Sequence, residues 1–294
     1  MFRRIVSALI IFVISYSFTF AQISRGTVKE ARIIDSKILG KEVKYTIYLP
    51  YDYETSSRYY PVVYLLHGYT DNDMAWMQFG ESQMIADEAI SKREIPPMIL
   101  AMPDAGVSWY INNYDGSVKY EDFFINEFIP YIEKTYRIRS EKRYHGIAGL
   151  SMGGFGSLIY TLKHPDMFTG CAAFSSAIYT EEEIISFPAD RYKNIDSLLY
   201  GPDLKGVKRI TEHLKANNPI FIIKNIDRKL LNRTRLYIDC GDDDFLYKGN
   251  SAFHVLLRDL KIPHEYRVRD GGHQWSYWRS GLLDGLKFIS ETFH

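Results

Sequence analysis

The sequence predicts an α/β protein built on an open, mostly parallel central sheet with helices on both faces. Short and nearly continuous apolar runs recur along the chain, as in strands that are buried on both faces of a parallel sheet. Stretches with the length and periodicity of helices separate these runs, and this alternation is typical of doubly wound sheets. The length of 294 residues allows one large domain of this kind.

The composition excludes several functional classes. The chain has 36 basic and 36 acidic residues, so it lacks the positive charge with which proteins bind nucleic acid or an anionic membrane. A 24% charged fraction beside 46% hydrophobic residues argues against a mostly disordered chain, and two cysteines cannot form a disulfide scaffold. A globular protein with no nucleic acid partner is expected. Its aromatic fraction is 15%, with 23 tyrosines.

The N-terminus has the pattern of a cleavable signal peptide. Arg3 and Arg4 precede an apolar run that ends near Phe20, and small residues follow around Ala21. Serines dilute the run, which is short for a helix that spans a bilayer, so no stable membrane anchor is expected. Residues 1–21 are therefore predicted to be removed, and the protein to be secreted or periplasmic. The remaining chain has 34 basic and 36 acidic residues, a formal charge of −2.

The elements follow in order. Strands are predicted at 27–35, 43–49, 62–66, 98–102, 144–148, 171–174 and 236–239, and helices at 82–91, 120–136, 153–163, 250–260 and 276–292. The first two strands alternate apolar and polar residues, as half-buried antiparallel strands do. The later strands are continuous apolar runs and are assigned to the parallel part of the sheet.

One long segment interrupts the alternation. Residues 178–232 contain polar helical stretches broken by Pro188, Pro202 and Pro219, and the sheet pattern resumes at Thr234. A connection of this length usually has a function or a structure of its own. We interpret it as a cap or lid inserted into a single domain of residues 22–294.

A nucleophilic serine is predicted at the turn after the fifth strand. Gly149-Leu150-Ser151-Met152-Gly153 matches G-x-S-x-G and lies between a predicted strand and a predicted helix. In this context the glycines allow a sharp turn that exposes the serine hydroxyl at the carboxyl edge of the sheet, beside a helix N-terminus. Ser151 is therefore the candidate nucleophile.

A base and an orienting acid follow in the chain order expected for this motif, serine, acid, histidine. Asp242, Asp243 and Asp244 come after the strand that ends at 239, and His273 comes after the next strand. The spacing Gly241-x-x-Asp244-x-Leu246 favours Asp244, while Asp242 and Asp243 stay alternatives. The three acids also suggest a Ca²⁺ loop, but the alternating ligands of a calcium motif are absent, so no metal is predicted.

Six motifs in order resemble the esterase family that contains the family 1 carbohydrate esterases, with feruloyl and acetylxylan esterases, and related esterases such as S-formylglutathione hydrolase (esterase D). They are Tyr64–Gly68 with Trp76, Met102–Asp104 with Ser108–Tyr110, Tyr120–Phe124 leading to Arg137, Gly149–Gly154, Cys240–Leu246, and Gly272-His273-x-Trp275-x-x-Trp278. The resemblance begins near Val43 and extends to the C-terminus.

The resemblance implies an α/β-hydrolase fold and a serine esterase that needs no cofactor. Ser151 would be the nucleophile, Asp244 the acid and His273 the base. His67-Gly68 resembles the turn whose following backbone N–H binds the oxyanion, which implies N–H donors at Tyr69 and Met152 and a structural role for the His67 imidazole. Activity should fall at acidic pH, because a protonated imidazole cannot act as a base.

Aromatic residues near the predicted site suggest the substrate. The candidates for substrate binding are Trp109, Tyr110, Trp275 and Trp278, with Tyr179 at the start of the cap, although Trp109 and Trp278 also fit a packing role. Aromatic faces suit both sugar rings and hydroxycinnamoyl groups. The expected partner is an acylated polysaccharide or oligosaccharide.

Feruloyl esterase is therefore the first prediction for the activity, and acetylxylan or another acetyl esterase is the alternative. An S-formylglutathione hydrolase is less expected because it would lack a leader, and nothing in the sequence indicates an acyltransferase. A non-catalytic binding protein on this scaffold would be expected to lack one of the three predicted residues.

Both cysteines are predicted to be free thiols. Cys171 should lie near the start of its strand, and Cys240 at the carboxyl end of the next. In a parallel sheet this stagger exceeds the ~7 Å separation that a disulfide tolerates.

Overall fold

The computed structural model describes residues 24–293 except 203, 232 and 233. Eight strands form one sheet in the order β1-β2-β4-β3-β5-β6-β7-β8. They are β1 (Thr27–Ser36), β2 (Lys41–Leu49), β3 (Val62–Leu66), β4 (Ile99–Pro103), β5 (His145–Leu150), β6 (Gly170–Phe174), β7 (Arg235–Asp239) and β8 (Glu265–Arg267). The predicted leader, residues 1–21, lies outside the described residues.

The sheet is antiparallel at one edge and parallel elsewhere. β1 pairs with β2, and β2 with β4, in antiparallel register, whereas every pair from β4 to β8 is parallel. β3, β4, β5 and β6 are buried along their whole length, as their unbroken apolar runs predict. The predicted α/β class, with a mostly parallel central sheet, is confirmed.

Helices cover both faces of the sheet. They are α1 (Ala75–Gln78), α2 (Ser82–Ser91), α3 (Tyr120–Phe123), α4 (Ile129–Thr135), α5 (Met152–Lys163), α6 (Glu181–Ser186), α7 (Ala189–Arg191), α8 (Ser197–Tyr200), α9 (Glu212–Ala216), α10 (Pro219–Asn225), α11 (Arg228–Leu231), α12 (Tyr247–Asp259) and α13 (Trp275–Ser290). The helix predicted at 120–136 contains a π-helical turn, Phe124–Phe128, between α3 and α4. Another π-helical turn, Tyr192–Asp196, joins α7 to α8.

Two apolar layers hold the helices against the sheet. On one face, side chains of α3, α4, α5 and α12 pack together, with Phe124 and Tyr160 stacked at 4.6 Å between ring centroids. On the other face, α2 and α13 pack against the sheet through residues such as Ala86 and Leu286. Among the described residues no helix is both long enough and apolar enough to cross a membrane.

The segment predicted as a cap lies between β6 and β7 and consists of short helices, α6 to α11. Polar side chains cap several of them: Thr180 forms a reciprocal capping box with Glu183, and Thr211 accepts from the Leu214 N–H. Arg209 is buried and donates to the carbonyls of Leu204, Ile184, Ile185 and Phe187. These hydrogen bonds join the loop at Leu204 to the end of α6.

Both cysteines are buried free thiols, as predicted. Cys171 is the second residue of β6 and lies opposite Leu236 in the sheet register, whereas Cys240 follows the end of β7. The two positions are thus four residues out of register. Burial raises the pKa of the Cys171 thiol to about 12.

Candidate active site

Ser151 sits on a strained turn between β5 and α5. Its φ of +53° and ψ of −115° lie outside the regions that a non-glycine residue ordinarily occupies. Two hydrogen bonds hold this turn: the Ser151 N–H donates to Phe174 O at 2.9 Å, and the Ala177 N–H donates to Ser151 O at 3.0 Å. The serine hydroxyl is thereby presented at the carboxyl edge of the sheet.

Glycines allow the turn to pack closely against its neighbours. A Cβ at Gly153 would lie 2.3 Å from Leu66 O, and one at Gly149 would lie 2.3 Å from Gly153 O. No side chain fits at such distances, so the start of α5 lies directly against the end of β3. The G-x-S-x-G spacing therefore brings the helix N-terminus beside the loop that begins at His67.

Two further loops of the carboxyl edge are joined to each other. The Asp243 N–H donates to Gly271 O at 3.1 Å, and the Gly271 N–H donates to Asp242 Oδ1 at 2.9 Å. Below them, Arg269 forms an ion pair with the fully buried Asp239, with Nε 3.0 Å from Oδ2. The loop after β7 and the loop after β8 thus form one unit.

Ser151, His273 and Asp244 form a chain of hydrogen bonds. The His273 Nε2 atom lies 2.9 Å from Ser151 Oγ. On the other side of the ring, His273 Nδ1 lies 2.9 Å from Asp244 Oδ2 and 3.1 Å from Oδ1. The structure therefore brings together the three residues that the sequence selects, and among the three consecutive acids Asp244 is the one that contacts His273.

The environment of Asp244 favours its ionised form. Burial alone would raise the pKa of this carboxyl, but hydrogen bonds from His273, Ser175 and the Leu246 N–H outweigh it and hold the pKa below its ordinary value. Ser175 also accepts a hydrogen bond from Trp278 Nε1 at 3.0 Å. A buried carboxylate in this position orients the imidazole with Nε2 towards the serine.

The loop after β3 lies beside Ser151. A Cβ at Gly68 would be 3.8 Å from Ser151 Cβ, and Gly68 and Tyr69 line the same cavity as Ser151. Met152 is the first residue of α5, so its N–H has no partner within the helix. The His67 imidazole is buried and accepts the Ala105 N–H at Nε2, 2.8 Å away, which fits the structural role expected for it.

A cavity of about 570 Å³ opens above Ser151 and His273. Its walls come from the sheet edge, the cap and the start of α13. The lining residues are Gly68, Tyr69, Asp71, Trp109, Leu150, Ser151, Ala177, Tyr179, Arg191, Ile195, Phe245, Leu246, His273, Gln274, Trp275 and Trp278. A larger cavity of about 710 Å³, lined by Tyr51, Glu94 and Lys287 among others, contains none of the candidate residues. We therefore place the candidate site in the smaller cavity.

Three of the four aromatic residues proposed to bind substrate line this cavity, and one does not. Trp109, Trp275 and Trp278 contribute to its wall. Trp278 also has the packing role considered for it, because its ring contacts His273 edge-on at 4.8 Å and is only 5% exposed. Trp109 is 7% exposed and packs against Phe155 as well.

Tyr110 corrects the sequence-based assignment, because it is fully buried beneath the cavity wall. Its hydroxyl donates to His67 O at 3.1 Å, and its ring occupies the space that a Cβ of Gly156 would need. Trp109 and Tyr110 both have positive φ values, 56° and 61°, and this backbone turn directs the two neighbouring side chains differently. Tyr110 supports the loop and is not included in the substrate site.

The cavity also contains polar residues that the sequence did not select. Arg191 comes from the cap, and Asp71 and Gln274 flank the predicted motifs. Burial raises the pKa of the Asp71 carboxyl. No motif marks Arg191, whose position on the wall depends on how the cap folds back over the sheet.

Three exposed carboxylates, Asp242, Asp243 and Asp270, have oxygens within 4.8 Å of one another. Asp242 Oδ1 accepts the Asp243 and Gly271 N–H groups. In this structure Asp242 therefore joins the loop after β7 to the loop after β8.

Known proteins resemble most of the chain or parts of it. The family described as "Putative esterase" matches residues 36–289. An acetyl esterase from Caldicellulosiruptor saccharolyticus is 26% identical over 273 residues, covering 87% of this chain and 96% of the relative. An endo-1,4-beta-xylanase/feruloyl esterase from Xylanibacter ruminicola is 33% identical over 164 residues, covering 53% of this chain and 23% of that protein. The chain thus spans only a small part of the second relative.

A solved structure described as a ferulic acid esterase superposes on almost the entire chain. The TM-score is 0.80 at 33% sequence identity, with 92% of this chain and 99% of the other chain covered. Both the fold and a substantial part of the sequence are therefore shared with that structure.

Proposed function

The chain belongs to this esterase family and is a carboxylic ester hydrolase, and on that premise we propose that Ser151, His273 and Asp244 form its catalytic triad. The observation that carries the proposal is the unbroken chain of contacts from Ser151 Oγ through His273 to the buried Asp244. The strained backbone of Ser151 supports it, because strain of this kind clusters at active sites.

In the acylation step, Ser151 Oγ attacks the ester carbonyl carbon while His273 Nε2 accepts the hydroxyl proton. The carbonyl oxygen becomes an oxyanion, and the N–H groups of Tyr69 and Met152 donate to it. One such donor is commonly worth about 3 kcal/mol of transition-state stabilisation. The C–O bond to the alcohol then breaks, and the alcohol leaves with the proton from His273.

In the deacylation step, His273 accepts a proton from water, whose oxygen attacks the acyl carbonyl carbon. A second oxyanion forms in the same position. Collapse breaks the bond to Ser151 Oγ, which takes the proton back from His273, and the free acid departs. Asp244 stays ionised throughout and stabilises the imidazolium formed in each half-reaction.

For the substrate, we propose a feruloyl ester of a plant cell-wall polysaccharide. The structure described as a ferulic acid esterase and the relative named xylanase/feruloyl esterase support this choice. The cavity supports it as well, because Trp109, Tyr179 and Trp275 offer aromatic surface beside Ser151. A predicted signal peptide at residues 1–21 would place the enzyme outside the cytoplasm, where it would meet such a polymer.

An acetyl ester, as in acetylated xylan, is the second candidate. It is favoured by the acetyl esterase of Caldicellulosiruptor saccharolyticus, which matches across 96% of its own length. The same triad would serve, since only the acyl group differs.

The nucleophile is tested by Ser151→Ala in the protein that starts at Gln22. We expect kcat for an aryl acetate to fall by at least about 10⁴-fold, because the serine oxygen forms the covalent intermediate. Ser91→Ala is the matched control, as this exposed serine lies at the end of α2 and outside the cavity. Unchanged hydrolysis by Ser151→Ala would refute the assignment.

The substrate class is tested with four esters: methyl ferulate, a feruloylated arabinoxylan oligosaccharide, acetylated xylan and a short-chain aryl acetate. We expect the highest kcat/KM for the feruloylated oligosaccharide. Turnover of both acetates without turnover of either ferulate would establish the acetyl esterase instead.

A further inference from the structure

Arg191 brings a positive charge from the cap to the wall of the cavity that contains Ser151 and His273. The side chain packs against two rings that contact each other edge-on, with its guanidinium carbon 4.4 Å from the centroid of Tyr179 and 3.7 Å from that of Phe187. Cation–π contacts of this kind restrain the position of a guanidinium group.

Arg191 lies beside the buried Asp196 of the cap, but no hydrogen bond joins the two side chains. Nε of Arg191 and Oδ2 of Asp196 are 3.6 Å apart. Both atoms are buried and have no hydrogen-bond partner among the described residues. Burial raises the pKa of Asp196 to about 6, although the charges of Arg191 and Arg209 oppose this. A buried donor and a buried acceptor are thus left side by side.

The pair lies where the cavity meets a smaller space inside the cap. Asp196 lines the smaller space together with Tyr192 and Tyr200, and three residues line both spaces. These shared residues are Trp109, Ala177 and Tyr179. The smaller space has about 10 Å³ of room, near the least that one water molecule needs. Trp109 Nε1, on the shared wall, is another buried donor without a partner among the described residues.

We propose that Arg191 and Asp196 recognise the ring hydroxyl of a hydroxycinnamoyl group whose ester carbonyl lies at Ser151. This inference rests on the proposed function and adds the residues that select the acyl group. A phenolic hydroxyl both accepts and donates, so its oxygen accepts from Arg191 and its hydrogen is donated to Asp196. A carboxylate in the same place would be repelled by Asp196, and an acetyl group has no hydroxyl to offer.

The hydroxyl should therefore govern selectivity within the cinnamate series. A site with buried polar groups discriminates against a ligand that leaves them unpaired, because their desolvation is then not compensated. Methyl p-coumarate has the ring hydroxyl and methyl cinnamate lacks it. The ratio of kcat/KM for p-coumarate to that for cinnamate isolates the contact, since the ring and the ester are the same.

The decisive experiment measures this ratio for the wild type, Arg191→Met, Asp196→Asn and Lys193→Met. Methionine keeps an apolar stem against Tyr179 and Phe187 but donates nothing, so the ratio should fall by about 10- to 100-fold. Asp196→Asn, which replaces a charged acceptor by a neutral one, should lower it several-fold. Lys193→Met is the matched control, because Lys193 is an exposed cation on the same π-helical turn, and its ratio should equal that of the wild type.

Other results would refute either the role of Arg191, the recognition of the acyl group or the proposed function. A ratio for Arg191→Met within about twofold of the wild type refutes the proposal, as does an equal fall in Lys193→Met. If the wild type hydrolyses 4-nitrophenyl acetate but neither cinnamate ester, the acyl recognition is wrong while the triad stands. If it hydrolyses none of the three esters, the proposed function itself fails. Circular dichroism checks folding, and Asp196→Asn carries the test should Arg191→Met not fold.

Discussion

The carboxyl edge of the sheet and the cap form facing walls of one cavity, yet they are built in different ways. At the sheet edge, backbone packs against backbone: Gly153 leaves no room for a side chain beside Leu66, and Asp239 and Arg269 close a hydrogen-bonded ion pair beneath the His273 loop. In the cap, helices of three to seven residues are joined by side-chain caps and by Arg209. In the Arg191–Asp196 pair of the cap, the two facing atoms form no hydrogen bond.

This difference separates the two tasks of the enzyme. In the proposed mechanism, proton transfer between Ser151 and His273 requires atoms held within a few tenths of an ångström, and close main-chain packing together with closed hydrogen bonds holds them there. In the proposed recognition of the acyl group, selection depends on cap side chains such as Arg191, which make no hydrogen bond to Ser151 or His273 among the described residues. We therefore expect changes at the sheet edge to affect every substrate and changes in the cap to affect some.

The largest effect is expected from Asp244→Asn. An amide in place of the carboxylate favours the wrong imidazole tautomer and no longer stabilises the imidazolium, so kcat should fall by about 10⁴-fold for every ester. Asp243→Asn is the matched control at the neighbouring acid, which is exposed and does not contact His273. Steady-state kinetics with an aryl acetate and methyl ferulate measure both, and a comparable loss in Asp243→Asn would contradict the assignment of the acid.

A large loss of stability is expected from Gly153→Ala. The added Cβ would be 2.3 Å from Leu66 O, so β3 and α5 must separate, at a cost of about 3 kcal/mol or more. Gly170→Ala is the control within the sheet, because a Cβ there meets Ile289 atoms at an ordinary distance of 3.4 Å or more. Urea unfolding followed by circular dichroism gives both free energies, and a difference below about 1 kcal/mol would argue against the close contact.

A smaller, pH-dependent effect is expected from Asp196→Asn in the cap. The pKa of Asp196 is about 6 in the folded chain against 3.8 ordinarily, so between these values the folded chain binds more protons than the unfolded chain. Stability then falls as the pH rises from about 4 to about 6. The variant lacks this loss, so its stability relative to the wild type should increase by on the order of 2 kcal/mol between pH 4 and pH 7.

Thermal melts at several pH values test this pH dependence. Asp190→Asn, at an exposed carboxylate next to Arg191, is the control variant. A difference between Asp196→Asn and the wild type that does not change with pH would contradict the buried, raised carboxyl.

The smallest effect is expected from Trp278→Phe. Phenylalanine keeps a ring near His273 but loses the Nε1 hydrogen bond to Ser175, which itself supports Asp244. A hydrogen bond worth about 1 kcal/mol predicts a fall in kcat of roughly fivefold with KM little changed. Trp76→Phe removes a similar bond, from Nε1 to Leu66 O, without contacting His273, and should affect stability more than kcat. Equal losses of kcat in both variants would show that the effect is structural.

The sequence alone predicted those features of the fold and the site that depend on a local pattern of residues. The alternation of apolar runs and helices predicted every strand from β1 to β7 to within a few residues, and G-x-S-x-G identified Ser151 from its strand-turn-helix context alone. The sequence was a poorer guide to the orientation of side chains, which depends on packing. Tyr110 follows Trp109 in one loop, yet only Trp109 reaches the cavity, because two consecutive positive φ values turn the chain between them.

What the sequence by itself determined is the fold class and the candidate catalytic residues, because strand periodicity, the G-x-S-x-G motif and the order serine, acid, histidine can be identified along the chain without its tertiary structure. The tertiary structure decided which of three consecutive acids contacts His273, since that choice depends on hydrogen bonds between the loops after β7 and β8. It also placed Arg191 on the wall of the cavity that Ser151 lines, forty residues away along the chain. A contact of that kind arises only when the cap packs over the sheet edge, and no periodicity in the cap encodes it.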